Sequence, residues 1–222
     1  MGTSTQAAVT NSSSEQGHGP SAATVIRLLN LLKSDADILL VERELKREPL
    51  LSHRLLRFVN SASSAFNKSI VSFRQAVIVL GYHQLHRWLA VMLVSGMKSG
   101  PRSEAVRSSL VRACCMETLA THQSITLTLA DQCFIVGVFS RLDELLGQPM
   151  PKVLANLNLA PEINDALLKR QGAAAAMLEL AILMEAGNRE QAEVALAKLN
   201  MPWALAEQSF AAAGAWADSL PV

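Results

Sequence analysis

The sequence predicts an all-α protein, and its composition and its patterning support that fold class. Half of the 222 residues are hydrophobic, whereas only 5% are aromatic and 18% are charged. Ala and Leu supply most of the apolar positions and recur at the three-to-four-residue spacing of one helix face. No alternating strand pattern persists, and no long period repeats. We therefore expect a compact multi-helix bundle of about ten to twelve helices around a buried core, and the composition excludes a chain that is disordered throughout.

The first twenty residues differ from the remainder of the chain. Residues 1–20 are polar, aperiodic and rich in Ser, Thr and Gly, which is typical of a disordered tail or a linker. Ordered structure is expected to begin near Ser21. We predict one domain over 21–217, with an N-terminal helical part (21–100) and a C-terminal helical part (101–217).

The first half of the chain is predicted to form five helices separated by polar breaks. They run from Ser21 to Leu32, from Ile38 to Leu45, from Leu50 to Asn60-Ser61, from Ala76 to Leu80 and from Tyr82 to Ser95. Asp35 is positioned to cap the second helix, which has to end before Pro49. Ser72 followed by Gln75 is a capping-box pattern, and Gly81 interrupts the apolar run behind it.

The second half is predicted to be helical as well, with Pro and Gly between its helices. Helices are expected from Ser103 to Leu119, from Leu127 to Leu146, from Pro161, from Ala173 to Ala186, from Asn188 and after Pro202. Pro149 and Pro151 should end the second of these. Gly187 is predicted to be a C-terminal cap, and Asn188 followed by Gln191 is another capping-box pattern.

Charge is distributed unevenly along the chain, although the net charge is only +1. Residues 1–48 sum to −1, residues 49–103 to +7 and residues 104–222 to −5. The middle segment contains no carboxylate; its cations are Arg54, Arg57, Lys68, Arg74, Arg87, Lys98 and Arg102. One interpretation is a surface for a nucleotide, a nucleic acid or an acidic partner. The alternative is that these cations pair with the acidic C-terminal half inside one fold.

The three cysteines favour a reducing compartment. Their number is odd, no C-x-x-C occurs, and no apolar signal segment opens the sequence, so we expect a cytoplasmic protein without a disulfide scaffold or a zinc ribbon. Cys114 and Cys115 are adjacent on a predicted helix and point about 100° apart. Both are interpreted as buried structural residues.

The most apolar stretch, residues 75–97, is interpreted as a core segment and not as a membrane span. Polar residues interrupt its middle, and a span needs about 20 predominantly apolar residues. The interrupting residues are His83, Gln84, His86 and Arg87.

Two histidine arrangements could carry chemistry. His83 and His86 lie on one predicted helix face at a spacing that can share a metal, but no nearby ligand completes the set, so surface or interface histidines are the alternative. His122 and Asp131 could form an acid–base or metal pair, although a helix break is expected between them. No catalytic Ser motif and no Gly-rich phosphate loop occurs.

The segment 61–69 is rich in Ser and Asn and is predicted to be a loop. Asn60 could fasten this loop by bonding to backbone groups, or the corner could contact an anion or a partner. Side chains around it form a candidate partner or anion surface: Arg54, Arg57, Asn60, Ser61, Lys68, Ser72, Arg74, His83 and Arg87.

Residues 48–96 resemble an HDOD domain, the HD-related output domain of bacterial signalling proteins. The matching pattern is an acidic-Pro dipeptide, a Leu-rich helix, N-S, I-x-S and A-[IV]-x-x-L-G. Here it reads Glu48-Pro49, Leu50–Val59, Asn60-Ser61, Ile70 with Ser72, and Ala76-Val77 with Leu80-Gly81. Glu48 is a departure, since Asp is usual there.

Residues 134–150 and the helices after them resemble the C-terminal module of proteins that join an EAL domain, the cyclic-di-GMP phosphodiesterase type, to an HDOD domain. Together the two resemblances cover about 21–217. No EAL domain is found in this sequence, so we expect a fragment or a stand-alone relative.

True HD phosphohydrolases carry a G-[LIV]-[LIV]-H-D motif whose His and Asp hold a divalent metal. The matching segment here begins at Gly137, and Ser140 and Arg141 replace the metal-binding pair. Ser is a poor ligand for a transition metal, and Arg is a fixed cation that would repel one. The resemblance therefore implies no metal site and no catalytic residue.

The resemblance implies a non-catalytic regulatory domain that acts by protein–protein contact, linked to cyclic-di-GMP or two-component signalling, with no cofactor. The expected partner is a signalling protein or an attached EAL-type domain, and a homodimer is open. A near-neutral charge balance and few aromatic residues argue against nucleic acid. The alternatives are a nucleotide-binding sensor and a residual metal-dependent phosphohydrolase.

Overall fold

The computed structural model describes residues 21–62, 70, 72–96, 103–123 and 127–220. These residues form helices and no strand, which confirms the all-α fold class. The predicted tail at 1–20 and the candidate residue Lys68 lie outside this description. The helices are α1 (Ala22–Lys33), α2 (Ile38–Lys46), α3 (Pro49–Ala62), α4 (Phe73–Ser95), α5 (Ser103–His122), α6 (Leu127–Phe139), α7 (Leu142–Leu146), α8 (Met150–Leu154), α9 (Pro161–Leu168), α10 (Ala173–Glu185), α11 (Arg189–Lys198) and α12 (Trp203–Ser219).

Asp37 caps α2, and the prediction of Asp35 as the cap is wrong. The Asp37 carboxylate accepts a hydrogen bond from the Leu39 backbone N–H at 2.7 Å. Asp35 has a φ of +50°, a left-handed conformation that completes the turn after α1. An N-cap residue needs extended backbone, and Asp37 has it.

α3 continues to Ala62, so the first two residues of the predicted loop are helical. In the last turn of α3 the Ser61 hydroxyl donates to the Phe58 carbonyl at 2.8 Å, a local side-chain-to-backbone bond that Ser can form within a helix. The remainder of the predicted loop, 63–69, lies outside the described residues.

Gly81 breaks α4 into two parts, as the sequence predicts. Its φ of +71° and ψ of 163° are non-helical and suit a residue without a Cβ. Ser72 caps the first part by accepting from the Gln75 N–H at 3.2 Å. Just after the break, the Tyr82 hydroxyl donates to the Ala36 carbonyl at 2.6 Å and so fixes the α1–α2 connection against α4.

α5 and α6 form the centre of the C-terminal half, where α10 and α12 also pack on α5. The helix predicted over 127–146 is divided at Ser140 and Arg141 into α6 and α7. The sequence did not predict α8. This helix can form because Pro151 lies in its first turn, where a helix tolerates proline. The predicted caps at Gly187 and Asn188 are both confirmed.

Buried apolar side chains from both halves form one hydrophobic cluster. Among the described helices, α4 alone is long and apolar enough to cross a membrane, judged by length and composition. The break at Gly81 divides it into parts that each fall short of the roughly 20 residues a span needs.

Candidate functional site

Asn60 fastens the corner between α3 and α4. Its Oδ1 accepts from the Ile70 N–H at 2.7 Å, and its Nδ2 donates to the Ile70 carbonyl at 2.9 Å. Both backbone groups of one residue are thereby satisfied by a single amide, a task that requires one donor and one acceptor. The interpretation of Asn60 as a loop staple is confirmed.

Three arginines of the corner keep their charge available to solvent. Arg57 and Arg74 are exposed and Arg54 is partly exposed. None of the three forms a hydrogen bond or an ion pair with any of the residues that the structure describes. These three guanidinium groups therefore carry positive charge that the described part of the chain leaves unpaired.

His83 and Arg87, which the sequence groups with the same surface, are engaged by the acidic half instead. Arg87 contacts Glu117 of α5 at 2.6 Å and Asp131 of α6 at 3.0 Å, and its guanidinium lies 3.9 Å from the centre of the Phe134 ring. His83 Nε2 lies 2.7 Å from Asp131 Oδ2. For Arg87 the internal-pairing alternative is correct, and His83 is a largely exposed histidine that contacts the same carboxylate.

The environment of Arg87 stabilises the protonated form of its guanidinium. Burial alone would lower the pKa of the guanidinium, but hydrogen bonds and the charges of Glu117 and Asp131 outweigh burial and raise it. Arg87 is therefore a fixed internal cation that joins α4 to α5 and α6.

A cleft of about 490 Å³ lies beside this cluster, between α4, α6 and the start of α9. Leu32, Ile135 and Ile163 supply apolar walls, and Lys33 and His86 supply polar ones. Burial lowers the pKa of His86 from 6.5 to about 4, with smaller contributions from Lys33 and His83. The imidazole is therefore neutral at physiological pH.

The histidine arrangements do not assemble a metal centre within the described residues. No group of three or more His, Cys, Asp or Glu side chains there could hold a metal ion. The proposed His122–Asp131 pair is not formed, because Asp131 bonds to His83 and Arg87 while His122 is exposed.

Ser140 is buried at the end of α6, where it meets an arginine. Arg112 of α5 donates to Ser140 Oγ at 3.3 Å and pairs with Glu185 of α10 at 2.6 Å. Arg141 turns away and donates twice to Glu144 Oε2, at 2.9 and 2.7 Å. A guanidinium thus lies beside the position that resembles the metal-binding histidine.

Burial determines the pKa values of the three cysteine thiols. It raises the pKa values of the Cys115 and Cys133 thiols to about 12 and also raises that of the half-buried Cys114. Thiols that stay protonated are poor nucleophiles and poor ligands. The interpretation as a buried structural residue is confirmed for Cys115, whereas Cys114 is only half-buried.

Sequence reasoning missed the partners of the internal arginines, Glu117 for Arg87 and Glu185 for Arg112. The only signal was the acidic excess of residues 104–222. That excess indicates that cations will be paired without indicating which ones, because each pair joins residues distant in sequence.

The family model described as "HDOD domain" matches residues 20–215. The chain is 35% identical over 146 residues to the cyclic di-GMP phosphodiesterase CdgJ of Vibrio cholerae, covering 66% of this chain and 34% of that protein. It is 32% identical over 165 residues to the uncharacterized protein YuxH of Bacillus subtilis, covering 72% of this chain and 40% of that protein. The matched region thus spans well under half the length of either relative.

A solved structure with a similar backbone is the MmoQ response regulator from Methylococcus capsulatus. It has a TM-score of 0.43 and 16% sequence identity, and the match covers 88% of this chain and 98% of that one.

Proposed function

This chain belongs to the HDOD domain family, and we propose from that membership that it is a non-catalytic regulatory domain of bacterial signal transduction. It works through contact with a signalling protein or an attached EAL-type domain. Its place is the cytoplasm, in cyclic-di-GMP or two-component signalling.

The contact surface is the corner around Asn60, and the observation that carries this assignment is its uncompensated charge. Arg54, Arg57 and Arg74 have no ion-pair partner among the described residues, whereas Arg87 in the same carboxylate-free segment has two. A cation cluster without internal partners favours association with an acidic protein surface and speeds the encounter.

The neighbourhood of Ser140 supports a role without catalysis. In the HD phosphohydrolases that this segment resembles, a His-Asp pair holds a divalent metal. Here the Arg112 guanidinium bonds to Ser140 and to Glu185. A fixed cation at this position would repel a second cation.

The name of the relative CdgJ describes a phosphodiesterase. The match with this chain covers about a third of that protein. We assign regulation to the region of such a protein that matches this chain and hydrolysis to the remainder.

The first test is affinity capture of the full chain from its host lysate, read by mass spectrometry, with an Arg54→Glu/Arg57→Glu variant beside it. We expect a signalling protein to be captured by the unaltered chain and lost by the variant. A Lys152→Glu/Lys198→Glu variant is the matched control, because it makes the same charge change at exposed lysines of the other half.

Capture that all three proteins share equally would contradict the assignment of the corner. A parallel assay covers catalysis: purified chain with Mg²⁺ or Mn²⁺ and cyclic-di-GMP should yield no product. Turnover that an Arg112→Ala or Ser140→Ala change alters would overturn the non-catalytic proposal.

A nucleotide sensor is the second candidate, and the cleft beside His86 favours it. Its volume of about 490 Å³ lies within the range of small-molecule sites, and Lys33 supplies a cation at the wall. A nucleotide present at a hundredfold excess over its Kd should stabilise the fold by about 2.7 kcal/mol. No thermal shift across a nucleotide panel would eliminate this candidate.

A further inference from the structure

Four large aliphatic side chains are exposed where α2 meets the break in α4. Leu39 and Leu40 are 57% and 38% exposed, and Ile78 and Val79 are 64% and 56% exposed. They make up most of the large hydrophobic side chains exposed in the described residues. We refer to these four residues as the kink patch.

The Tyr82–Ala36 hydrogen bond brings the two halves of the kink patch to one place. Tyr82 directly follows the break at Gly81, three residues after Val79, and Ala36 lies two residues before α2, which carries Leu39 and Leu40 near its start. α2 also packs against α4 directly. The start of α2 and the break in α4, which carry the two exposed pairs, are therefore neighbours in the fold.

Arginines flank the kink patch on both helices. Arg43 follows Leu39 by one turn on α2, and Arg74 precedes Ile78 by one turn on α4. Both are exposed, and neither has an ion-pair partner among the described residues.

The acidic side chains of α2 already form ion pairs with other residues of the chain. Glu42 pairs with Lys46, and the buried Glu44 pairs with Arg27 and Arg47. The Asp37 carboxylate caps the start of α2, and Asp35 in the preceding turn is the one acid near the patch that forms no side-chain hydrogen bond or ion pair with a described residue. The kink patch has an apolar centre and cationic flanks. A partner surface that complements it has an apolar stripe bordered by carboxylates.

We propose that the kink patch is the docking site of an amphipathic helix with acidic flanks, contributed by the signalling partner. This inference rests on the proposed function and specifies its partner. The apolar stripe of the helix covers Leu39, Leu40, Ile78 and Val79, and its carboxylates meet Arg43 and Arg74. A helix laid across an apolar groove through residues one turn apart is a common mode of peptide recognition.

The composition of the patch favours a protein over a membrane surface. Arginine is enriched at protein interfaces and lysine is depleted, and the cations at this site are arginines. Trp and Tyr, which anchor proteins at the lipid headgroups, are not among its exposed side chains.

The test measures binding of two synthetic amphipathic helical peptides by fluorescence anisotropy. One has Leu along one face and Glu on both flanks, and the other has Lys in place of Glu. The full chain should bind the Glu peptide at least about tenfold more tightly than the Lys peptide. An Arg43→Glu/Arg74→Glu variant should reverse that preference.

An Ile78→Ser/Val79→Ser variant should lose at least about tenfold in affinity for the Glu peptide. If that variant misfolds, a Leu39→Ser/Leu40→Ser variant tests the same patch independently and should show the same loss of affinity. Leu168→Ser/Val194→Ser removes comparably exposed aliphatic side chains elsewhere and should leave the affinity unchanged.

Equal affinity for the two peptides, or no binding of the Glu peptide, would overturn the proposal. So would binding to phosphatidylserine vesicles that the patch variants lose, since it would assign the surface to a membrane. Loss of lysate capture by Arg54→Glu/Arg57→Glu but not by Ile78→Ser/Val79→Ser would leave the proposed function standing and this inference refuted.

Discussion

At Gly137 the backbones of α5 and α6 come so close that no side chain fits between them. A Cβ built there would lie 2.4 Å from both the Cα and the nitrogen of Ala113. Gly in a helix interior costs about 1 kcal/mol relative to Ala, so propensity alone would favour Ala at this position. Contact with a rigid neighbouring helix outweighs that preference, because neither backbone can move aside cheaply.

Gly137→Ala is therefore expected to destabilise the protein by about 1–3 kcal/mol or more, since it overpacks the core. Chemical denaturation followed by circular dichroism measures the change. Gly214→Ala is the matched control in α12, where the nearest atom is the flexible Arg107 Nη2 at 3.6 Å. The control should be neutral or slightly stabilising, and an equal loss in both variants would contradict the steric explanation.

His86 predicts a pH dependence of stability. Its pKa is about 4 in the fold against 6.5 ordinarily, so the unfolded chain binds a proton that the folded chain does not. Above pH 6.5 both states are neutral at this residue and no penalty arises. As the pH falls from 6.5 to 4, the free energy of unfolding should drop by up to about 3 kcal/mol.

A His86→Gln variant should flatten the unfolding free energy between pH 6.5 and pH 4 relative to the unaltered chain. His53→Gln changes an exposed histidine and should keep the original slope. Denaturation midpoints measured across this range provide the comparison. Identical slopes in all three proteins would show that His86 is not the responsible group.

At the level of secondary-structure elements, Arg87 connects three helices by pairing from α4 with residues of α5 and α6. Its side chain is 17% exposed, while Glu117 on α5 and Asp131 on α6 are 29% and 32% exposed. Removing the arginine takes away the ion pair of Glu117 and leaves Asp131 with His83 alone, while both carboxylates stay partly desolvated. That loss weakens the packing of α4 on the C-terminal helices, because the unpaired charges then favour solvent.

Arg87→Met should therefore cost about 1–3 kcal/mol, in the range of a polar group left unsatisfied. Arg107→Met removes an exposed arginine that pairs with Asp218, and a surface pair contributes at most about 1 kcal/mol. Urea denaturation of the two variants compares them directly. A larger loss in Arg107→Met would refute the structural importance of the Arg87 cluster.

Most helices were predictable because their signals are local. The capping residues Ser72 and Asn188, and the break at Gly81, act on backbone groups within four residues. The errors arose where two local signals compete. Asp35 and Asp37 are both suitable caps, and only the backbone conformation of the turn distinguishes them.

On the scale of the whole molecule, one hydrophobic cluster joins the helices of both halves. Shared burial should make unfolding cooperative, since neither half keeps its core when the other opens. Trp88 reports on the N-terminal half, and Trp203 and Trp216 report on the C-terminal half.

Tryptophan fluorescence tests this cooperativity. A Trp88→Phe variant and a Trp203→Phe/Trp216→Phe variant each leave reporters in one half. Within each variant, the fluorescence and circular dichroism transitions in urea should share one midpoint. Two separated transitions would mean that 21–217 is more than one folding unit.

The sequence by itself determined the fold class, the helix order and the charge asymmetry, because each follows from side-chain period, caps and composition along the chain. It also indicated that Asn60 could fasten its loop, and the residue that Asn60 bonds is only ten residues away in sequence. Only the tertiary structure decided which cations are neutralised. Arg87 and Arg54 carry the same charge in the same carboxylate-free segment, but helix packing places Glu117 and Asp131 beside Arg87 and no described carboxylate beside Arg54. The burial and ion pairing of a side chain depend on which residues distant in sequence the fold brings close to it. A local sequence pattern does not encode those contacts.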